Sequence, residues 1–262
     1  MKFIFIKKKS IITISLIIIF CTILIVLLFL NVNKTIPTSS QTIISNDNLN
    51  KISSLTNSTE KIAYLTFDDG PNDNVTPIVL DILKEENVKA SFFVIGKYVE
   101  KYPNVVKRAY EEGHYIANHG YDHNNNNLYK SSSSFIDEIT KTDLAISNAI
   151  GAQNYCSHIF RFPNGYMAPI NKNEKKQAVK LLSNMNYTYI DWNCLNNDSM
   201  KKYNKYELLQ NLKTTSKNKG TLVILMHDTK DVSNSSTALK DSIEYLKSNG
   251  YTFENFYNVF SF

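Results

Sequence analysis

The stretch YLTFDDGPN, residues 64–72, joins an apolar run to two adjacent carboxylates, Asp68 and Asp69, and then to a Gly-Pro turn. The apolar run is typical of a buried β-strand. Neighbouring acids raise each other's cost of ionisation where water is scarce, so such a pair needs a partner that offsets its charge. Taken alone, the pair is also typical of a turn, because Asp is common in turns. The rest of the sequence distinguishes the two interpretations.

Short runs rich in β-branched and aromatic residues recur along the chain and predict β-strands. They lie at residues 62–67, 90–96, 114–118, 158–162, 187–192, 221–227 and 251–256. Helical spacing of apolar residues lies between them, at residues 76–88, 131–151 and 236–250. This alternation predicts an α/β fold of parallel βαβ units, either as an open sheet or as a closed barrel. In both architectures, ligands bind at the carboxyl ends of the strands.

The first 60 residues differ in composition from the rest. Residues 11–30 carry no charge, Pro or Gly, and three lysines precede them. The run has the length of a membrane-spanning helix, and positive charge stays on the cytoplasmic side. We therefore expect an uncleaved signal anchor with residues 1–10 in the cytoplasm and a flexible Ser/Thr/Asn-rich tether at residues 31–60. Residues 61–262 then form one extracellular domain of a single-pass protein of the cell membrane.

The formal charge of +5 is distributed unevenly, with +4 in residues 1–60 and only +1 in residues 61–262. A nearly neutral domain offers no basic surface for nucleic acid, so nucleic acid is excluded as a partner. Cys156 and Cys194 are the two cysteines outside the predicted span. An oxidising exterior permits a disulfide, but we expect two small buried thiols.

Reactive side chains lie at or just after the ends of several of the other predicted strands. They are His119, His123, Arg161, Asp191, Asp198 and His227. Because the carboxyl ends of parallel strands meet at one edge of a sheet, these groups are expected to surround Asp68 and Asp69. This clustering favours a functional site over a plain turn.

The two histidines at 119 and 123 are four residues apart, so one turn or tight loop directs both imidazoles at one point. With one carboxylate they make a three-ligand metal site that leaves room for water or substrate. A bound metal lowers the pKa of its water from 15.7 to roughly 7 and so creates a nucleophile. The second carboxylate is then a general base, with Arg161 as its partner and His227 as a proton donor. On this interpretation the two acids share one cation.

The motifs TFDDG (66–70), H-x-x-x-H (119–123), R-x-P (161–163) and L-x-H (225–227), in this order, resemble those of the polysaccharide deacetylases, carbohydrate esterase family 4 with its NodB-homology domain. The resemblance covers residues 61–256. It implies a deformed (β/α) barrel of about seven parallel strands, preceded here by the transmembrane helix. It also implies one divalent metal ion, with zinc expected first and cobalt or nickel as alternatives.

The resemblance further implies a role for each matching residue. Asp68 is the expected catalytic base, oriented by Arg161, and His227 is the expected general acid. The expected metal ligands are Asp69, His119 and His123.

Residues that contact the substrate follow from the same resemblance. The amide proton of Asn164, after Pro163, is expected in the oxyanion site, and Leu225 in the pocket for the acetyl methyl group. Trp192 is expected either to stack on a sugar ring or to pack in the core.

The sequence departs from the family pattern at three places. Gly120 follows the first metal-binding histidine, where Ser or Thr is common, so one hydroxyl that braces the loop is missing. Asn164 replaces an aromatic residue, which removes a pocket wall but keeps the backbone donor. The carboxylate that partners His227 is either Asp198 or Asp191, and alignment with the family favours Asp198.

The sequence therefore predicts a membrane-anchored, metal-dependent hydrolase that removes N-acetyl groups from a polysaccharide and releases acetate. The substrate expected first is the N-acetylglucosamine of peptidoglycan, followed by an exopolysaccharide and chitin-type oligomers; no protein partner is inferred. One alternative is an O-acetyl esterase of the xylan type that uses the same site. The other is a catalytically degenerate carbohydrate-binding protein, against which the complete set of acids, histidines and arginine argues.

Overall fold

Eight parallel β-strands form the sheet in the computed structural model, which describes residues 50–200, 202–229 and 234–260. The strands are β1 (Ile62–Asp68), β2 (Ser91–Val94), β3 (Tyr115–Asn118), β4 (Ile159–Phe160), β5 (Thr188–Tyr189), β6 (Cys194–Leu195), β7 (Leu222–His227) and β8 (Thr252–Glu254). Seven of them overlap the predicted runs, whereas β6 is an additional strand of only two residues.

Helices alternate with most of the strands. They are α1 (Val75–Glu85), α2 (Gly96–Lys101), α3 (Pro103–Glu111), α4 (Asn125–Leu128), α5 (Ser132–Ile150), α6 (Lys172–Asn184), α7 (Lys205–Ser216) and α8 (Asn234–Ser248). Both ends of α5 carry capping residues. The Ser131 hydroxyl accepts the backbone N–H of Ser134, and Gly151 ends the helix with φ 71°, a left-handed conformation that glycine adopts without penalty.

The strand order β5-β4-β3-β2-β1-β7-β6 brings the reactive strand ends together, while β8 pairs with β1. Asp68, the last residue of β1, lies in register with His227, the last residue of β7. Asn118 at the end of β3 lies in register with Phe160 of β4, and its carbonyl accepts the backbone N–H of Arg161. We call this edge, where these strands end, the carboxyl rim.

Side chains along β1 and β7 alternate between the two faces of the sheet, as strand geometry requires. The outer face packs under the helices and takes Ala63, Leu65, Phe67, Leu222, Ile224 and Met226. The opposite, inner face begins with Tyr64 and Val223, which belong to a separate apolar cluster. Further along the strands, it carries Thr66, Asp68, Leu225 and His227. The polar groups therefore lie on the inner face, toward the carboxyl rim.

The strands and helices form an α/β half-barrel, which is consistent with the deformed (β/α) barrel that the family resemblance implied. Seven strands follow one path through the sheet. Within the described residues, no pairing joins β5 to β6, so the sheet does not close there.

The folded region begins earlier than predicted. Residues 50–57 are helical, although the predicted tether runs to residue 60. Ile52 and Leu55 pack against the inner apolar cluster, and the Ser58 carbonyl accepts the backbone N–H of Thr221. The segment is polar overall, but Ile52 and Leu55 lie three residues apart and therefore share one face of the helix.

The predicted membrane helix at residues 11–30 lies outside the described residues, as do residues 1–10 and the first part of the predicted tether. In the part of the chain that the structure describes, no helix combines the length and the apolar character needed to cross a membrane. Cys156 and Cys194 are both free thiols, as expected. Cys194 is buried and Cys156 is half-buried.

Candidate active site

A buried ion pair joins Asp68 to Arg161 at the carboxyl rim. Nη1 of Arg161 lies 2.8 Å from Oδ1 of Asp68, and the two residues are 0% and 3% exposed. The guanidinium is held on several sides. It donates to the Thr66 hydroxyl at 2.7 Å and to the Ile190 carbonyl at 3.0 Å, and its Cζ lies 3.9 Å from the centroid of the Phe93 ring. These contacts fix the orientation of the Asp68 carboxylate, because the arginine has little freedom to move.

Asp69, His119 and His123 form a cluster in which the ligand atoms all lie within 4.8 Å of one another. Nε2 of His119 is 3.3 Å, and Nε2 of His123 is 3.5 Å, from Oδ1 of Asp69. In a tetrahedral zinc site with bonds of about 2.1 Å, neighbouring ligand atoms are about 3.4 Å apart. The two separations from Asp69 match this spacing, and the three side chains fit a single cation.

Two hydrogen-bonding features of the cluster also fit a cation. Oδ1 of Asp69 is buried and accepts no hydrogen bond from the described residues, although buried polar atoms normally have a partner. Nδ1 of His119 donates to the Arg161 carbonyl at 2.8 Å, which leaves Nε2 as the unprotonated atom of the neutral ring. One carboxylate and two imidazoles suit zinc and other divalent transition metals.

The backbone places two of these side chains in uncommon conformations. Asp69 has φ 71° and His123 has φ 56°, both in the left-handed region that non-glycine residues seldom occupy. Such conformations cost free energy and concentrate at functional sites, where the surrounding structure holds them. Two of the three residues of this candidate metal site therefore have left-handed backbone conformations.

The charges in the cluster shift one another's pKa. Burial alone would raise the pKa of the Asp69 carboxyl, but the adjacent His119 and His123 outweigh burial and lower it. Burial would lower the pKa of His119, but Asp68 and Asp69 outweigh burial and raise it. Burial, assisted by the charge of His119, lowers the pKa of His123. Because metal ligands must be deprotonated, a cation that binds here competes with protonation of His119.

Glu138 of α5 braces the loop that carries the two histidines. Its Oε2 accepts the backbone N–H groups of Tyr121 at 2.6 Å and Asp122 at 3.2 Å. Gly120, where the family commonly has Ser or Thr, has φ 81°, a conformation that favours glycine. The loop without a bracing hydroxyl is therefore held by a carboxylate from another part of the chain.

Asp198, rather than Asp191, is the carboxylate paired with His227. Oδ1 of Asp198 lies 2.7 Å from Nδ1 of His227, and Oδ2 accepts the backbone N–H of His227 at 2.7 Å. Burial alone would lower the pKa of His227, but the hydrogen bond and charge of Asp198 outweigh burial and raise the pKa to about 9. The imidazole therefore carries a proton at neutral pH, as a general acid requires.

Asp191 braces the loop after Pro163. Its Oδ1 accepts the backbone N–H of Tyr166 at 2.8 Å, and its Oδ2 accepts that of Met167 at 3.1 Å. Asn164 begins this loop with φ 66°. Its backbone N–H donates to no residue in the described ranges, so the predicted oxyanion donor is not engaged elsewhere in them.

The two remaining predicted residues lie in different places. Leu225 is on the inner face of β7, in register with Thr66 of β1, and is 6% exposed. Trp192 packs against the inner apolar cluster and lines a cavity of about 330 Å³ together with Asp191. A different cavity, of about 560 Å³, opens beside Asp69 and His123. The position of Trp192 favours the core-packing interpretation over stacking on a sugar at the cluster.

Sequence reasoning missed the roles of Thr66, Glu138 and Asp228. Asp228 is fully buried against the TFDDG loop, where a Cβ on Gly70 would lie 2.3 Å from Oδ2 of Asp228, so only glycine fits. Oδ2 of Asp228 also accepts the Thr76 hydroxyl proton at 2.6 Å. The sequence signal was the position of Asp228 directly after the L-x-H motif, but only the fold shows what it contacts.

Comparisons with known proteins agree with this geometry. Residues 56–190 match the family model for polysaccharide deacetylase. The chain is 35% identical over 205 residues to a peptidoglycan-N-acetylglucosamine deacetylase of Bacillus cereus, covering 75% of this chain and 70% of the relative. It is 31% identical over 201 residues to the peptidoglycan-N-acetylmuramic acid deacetylase PdaA of Bacillus subtilis, covering 77% of this chain and 72% of the relative.

Solved structures extend the likeness to the fold. The catalytic domain of peptidoglycan N-acetylglucosamine deacetylase from Eubacterium rectale matches with a TM-score of 0.68 and 32% identity, covering 74% of this chain and 88% of that chain. The family model covers more than half of the sequence, and the Bacillus cereus relative is matched over most of its length. The chain therefore belongs to the polysaccharide deacetylase family of hydrolases.

Proposed function

We propose that this chain is a metal-dependent enzyme that removes N-acetyl groups from a cell-envelope polysaccharide, with the N-acetylglucosamine of peptidoglycan as the first substrate. The observation that carries the proposal is the meeting of three groups at the carboxyl rim. They are the cluster of Asp69, His119 and His123, the pair Asp68–Arg161 and the pair His227–Asp198. The relatives named for peptidoglycan support the choice of polymer.

Asp68 is the proposed general base. Its Oδ2 lies 3.9 Å from Nε2 of His119, and Arg161 holds the other oxygen. The carboxylate therefore lies next to the cluster, where it can accept a proton from the attacking water. Burial keeps bulk water from competing for this contact.

His227 is the proposed general acid. Its ring is protonated at neutral pH because of Asp198, and the proton passes to the amine nitrogen as the carbon–nitrogen bond breaks. Asp198 then stays paired with the neutral ring through Nδ1, which keeps the other nitrogen directed away from it. The products are acetate and an amino sugar.

A divalent cation at the cluster, with zinc as the first candidate and cobalt or nickel as alternatives, would lower the pKa of a bound water and polarise the acetamide carbonyl. The backbone N–H of Asn164 is the proposed protein donor to the oxyanion. Leu225 is the proposed contact for the acetyl methyl group, because it is the apolar side chain nearest the end of β7 on the inner face.

The proposed location is the outer surface of the cell membrane, with residues 11–30 as the anchor and residues 1–10 in the cytoplasm. From there a tethered domain reaches polymers of the cell envelope. Deacetylation exposes amines, so the product polymer carries more positive charge than the substrate.

The proposal is tested on the full-length chain by measuring bound metal together with acetate release from N-acetylglucosamine oligomers, peptidoglycan and acetylated xylan. We expect about one zinc per chain, release from the N-acetylated substrates, loss of activity on chelation and recovery with zinc. Release from xylan alone would identify an O-acetyl esterase, and metal binding without any release would identify a binding protein. Failure to bind metal after reconstitution would overturn the proposal.

A further inference from the structure

The cavity beside the metal cluster extends beyond the residues assigned to catalysis. It has a volume of about 560 Å³ and reaches from Asp69 and His123 to helix α2. This volume lies within the roughly 300–1,000 Å³ that is typical of small-molecule sites. The reacting acetamido group needs only part of it, so the remaining space is available to the neighbouring parts of the polymer.

Helix α2 and its C-cap present three side chains to this cavity, namely Tyr98, Lys101 and Tyr102. Their positions are i, i+3 and i+4, so they share one face of the helix. Tyr98 and Tyr102 are half-buried, and Lys101 is exposed. Two aromatic rings with one ammonium group therefore form a continuous wall of the cavity.

The start of α2 is tied to the loop that carries the metal-binding histidines. The backbone N–H of Gly96 donates to the Gly120 carbonyl at 3.0 Å, and that of Lys97 donates to the Tyr121 carbonyl at 2.9 Å. Gly96 also lies against Thr142 and Tyr121, where a Cβ would approach to 2.6 and 2.7 Å. The helix is therefore held at a fixed distance from the cluster.

The ammonium group of Lys101 is available to an anion. Its Nζ lies 4.9 Å from the centroid of the Tyr102 ring, and it forms no ion pair with any of the described residues. A hydrogen bond to the Tyr102 side chain is the main cause that raises the pKa of Lys101, and the charge of Asp73 adds to it. In contrast, Lys107 on the neighbouring helix α3 lies 3.8 Å from Glu111.

The acids that line the cavity have other partners. Asp69 belongs to the metal cluster. Asp122 accepts the backbone N–H of Asn124 at 2.8 Å and the side-chain amide of Asn127 at 2.6 Å. Among the described residues that line the cavity, Lys101 is therefore the charged side chain that remains available for a ligand.

We propose that Tyr98, Lys101 and Tyr102 form a subsite for the sugar next to the one that is deacetylated, and that Lys101 binds a carboxylate on that sugar. The tyrosines offer flat apolar faces with polar edges, and the lysine supplies a compact positive charge. The substrate class is a glycan in which a sugar with a free carboxylate adjoins the acetamido sugar that is deacetylated. Peptidoglycan strands without stem peptides fit this description, because the lactyl carboxylate of their muramic acid is not in amide linkage. The inference rests on the proposed deacetylase function and narrows its substrate.

The test compares two substrates with the full-length enzyme. One is a neutral N-acetylglucosamine oligomer, and the other is peptidoglycan strands whose stem peptides have been removed, so that the lactyl carboxylates are free. We expect Lys101→Gln to lower kcat/KM for the strands by up to about fivefold, the effect of an exposed ion pair, through KM. The neutral oligomer is expected to be unaffected, and Lys101→Arg is expected to retain activity on the strands.

Salt and a control variant separate charge from structure. For the wild-type enzyme, the ratio of kcat/KM on the anionic strands to kcat/KM on the neutral oligomer is expected to fall with added NaCl. For Lys101→Gln, this ratio is expected to stay constant. Lys107→Gln makes the same change in net charge outside the cavity and is expected to behave as wild type. Tyr98→Leu is expected to raise KM for both substrates, because the ring contacts the sugar whatever its charge.

Failure of the subsite and failure of the proposed function give different results. The subsite would be overturned if Lys101→Gln lowered kcat/KM equally for both substrates, or if it did not lower kcat/KM for the strands. Acetate release by the wild-type enzyme would still uphold the deacetylase function. If the wild-type chain releases no acetate, calorimetry with the Asp68→Asn variant still measures binding. The subsite is upheld if Asp68→Asn binds the strands more tightly than the neutral oligomer and if the double variant Asp68→Asn/Lys101→Gln loses this difference in affinity. Equal affinity of Asp68→Asn for the two substrates would overturn the subsite.

Discussion

Oδ1 of Asp198 lies 2.7 Å from Nδ1 of His227, and the same carboxylate accepts the backbone N–H of His227 through Oδ2. The pair raises the pKa of His227 to about 9 against the effect of burial. A general acid works only while protonated, so activity is expected to fall as the pH rises past this pKa. A bound cation would lower the value, and it would do so in variants as well as in the wild-type enzyme.

We therefore expect Asp198→Asn to move the alkaline limb of the kcat/KM profile to lower pH by about one to three units, because the charge that favours the imidazolium is gone. The profile is measured with metal-saturated enzyme on an N-acetylglucosamine oligomer. Asp191→Asn is the matched control, since Asp191 bonds to the Tyr166 and Met167 amides instead. A limb that shifts in Asp191→Asn and stays in place in Asp198→Asn would contradict the assignment.

Asp68 contacts Arg161 at 2.8 Å and lies beside the cluster without being one of its three ligands. We expect Asp68→Asn to lower kcat by about 10²–10⁴, the contribution of a positioned general base, while the metal content stays unchanged. Acetate release and metal analysis on the same sample check both parts. Loss of metal together with activity would show that Asp68 is a ligand rather than the base.

The sequence allowed the strand ends to be predicted because the apolar runs stop at polar motifs, and parallel strands bring those ends to one edge. The residue pattern alone did not distinguish Asp191 from Asp198, and only alignment with the family favoured Asp198. Asp191 lies within the fifth run and Asp198 follows it closely, with the short strand β6 between the two residues. Asp191 turns toward the loop after Pro163, and only the chain beyond β6 reaches His227.

Contacts between distant segments account for the other differences. Glu138 reaches the histidine loop from α5, and no local pattern marks it among the acids of that helix. Ile52 and Leu55 are two apolar residues in a polar segment, so their packing depends on a surface that forms only when the inner cluster is assembled. Sequence periodicity describes one helix or strand at a time. A contact between distant segments depends also on the second segment, which the periodicity of the first does not describe.

Glu138 accepts two backbone amides of the loop between His119 and His123. Removing a group that orients metal ligands typically lowers metal affinity by about 10–100-fold. We expect a loss of that size in Glu138→Ala, measured by competition with a chelating dye. Asp137→Ala removes the same charge from an exposed neighbouring position on α5 and is expected to bind metal as wild type. Equal affinities in the two variants would mean that the loop does not need the Glu138 carboxylate.

Asp228 is fully buried, and burial raises the pKa of its carboxyl from 3.8 to about 7. Between these values the folded state keeps a proton that the unfolded state releases, so the free energy of unfolding falls as the pH rises from about 4 to 7. The side chain introduced by Asp228→Asn carries no charge at any pH, so the variant does not show this fall in the free energy of unfolding. We therefore expect the stability of the variant relative to wild type to rise from pH 5 to pH 8 by on the order of 3 kcal/mol.

The Asp228 comparison is made by urea unfolding of the metal-free protein, because a nearby cation would favour the carboxylate. The amide introduces a donor at the position of Oδ1, which has no partner among the described residues, and this cost is the same at both pH values. The change in the stability difference with pH is therefore the informative quantity. A difference that stays constant from pH 5 to pH 8 would show that Asp228 is ionised throughout, and that the Thr76 hydroxyl and the surrounding amides stabilise its charge.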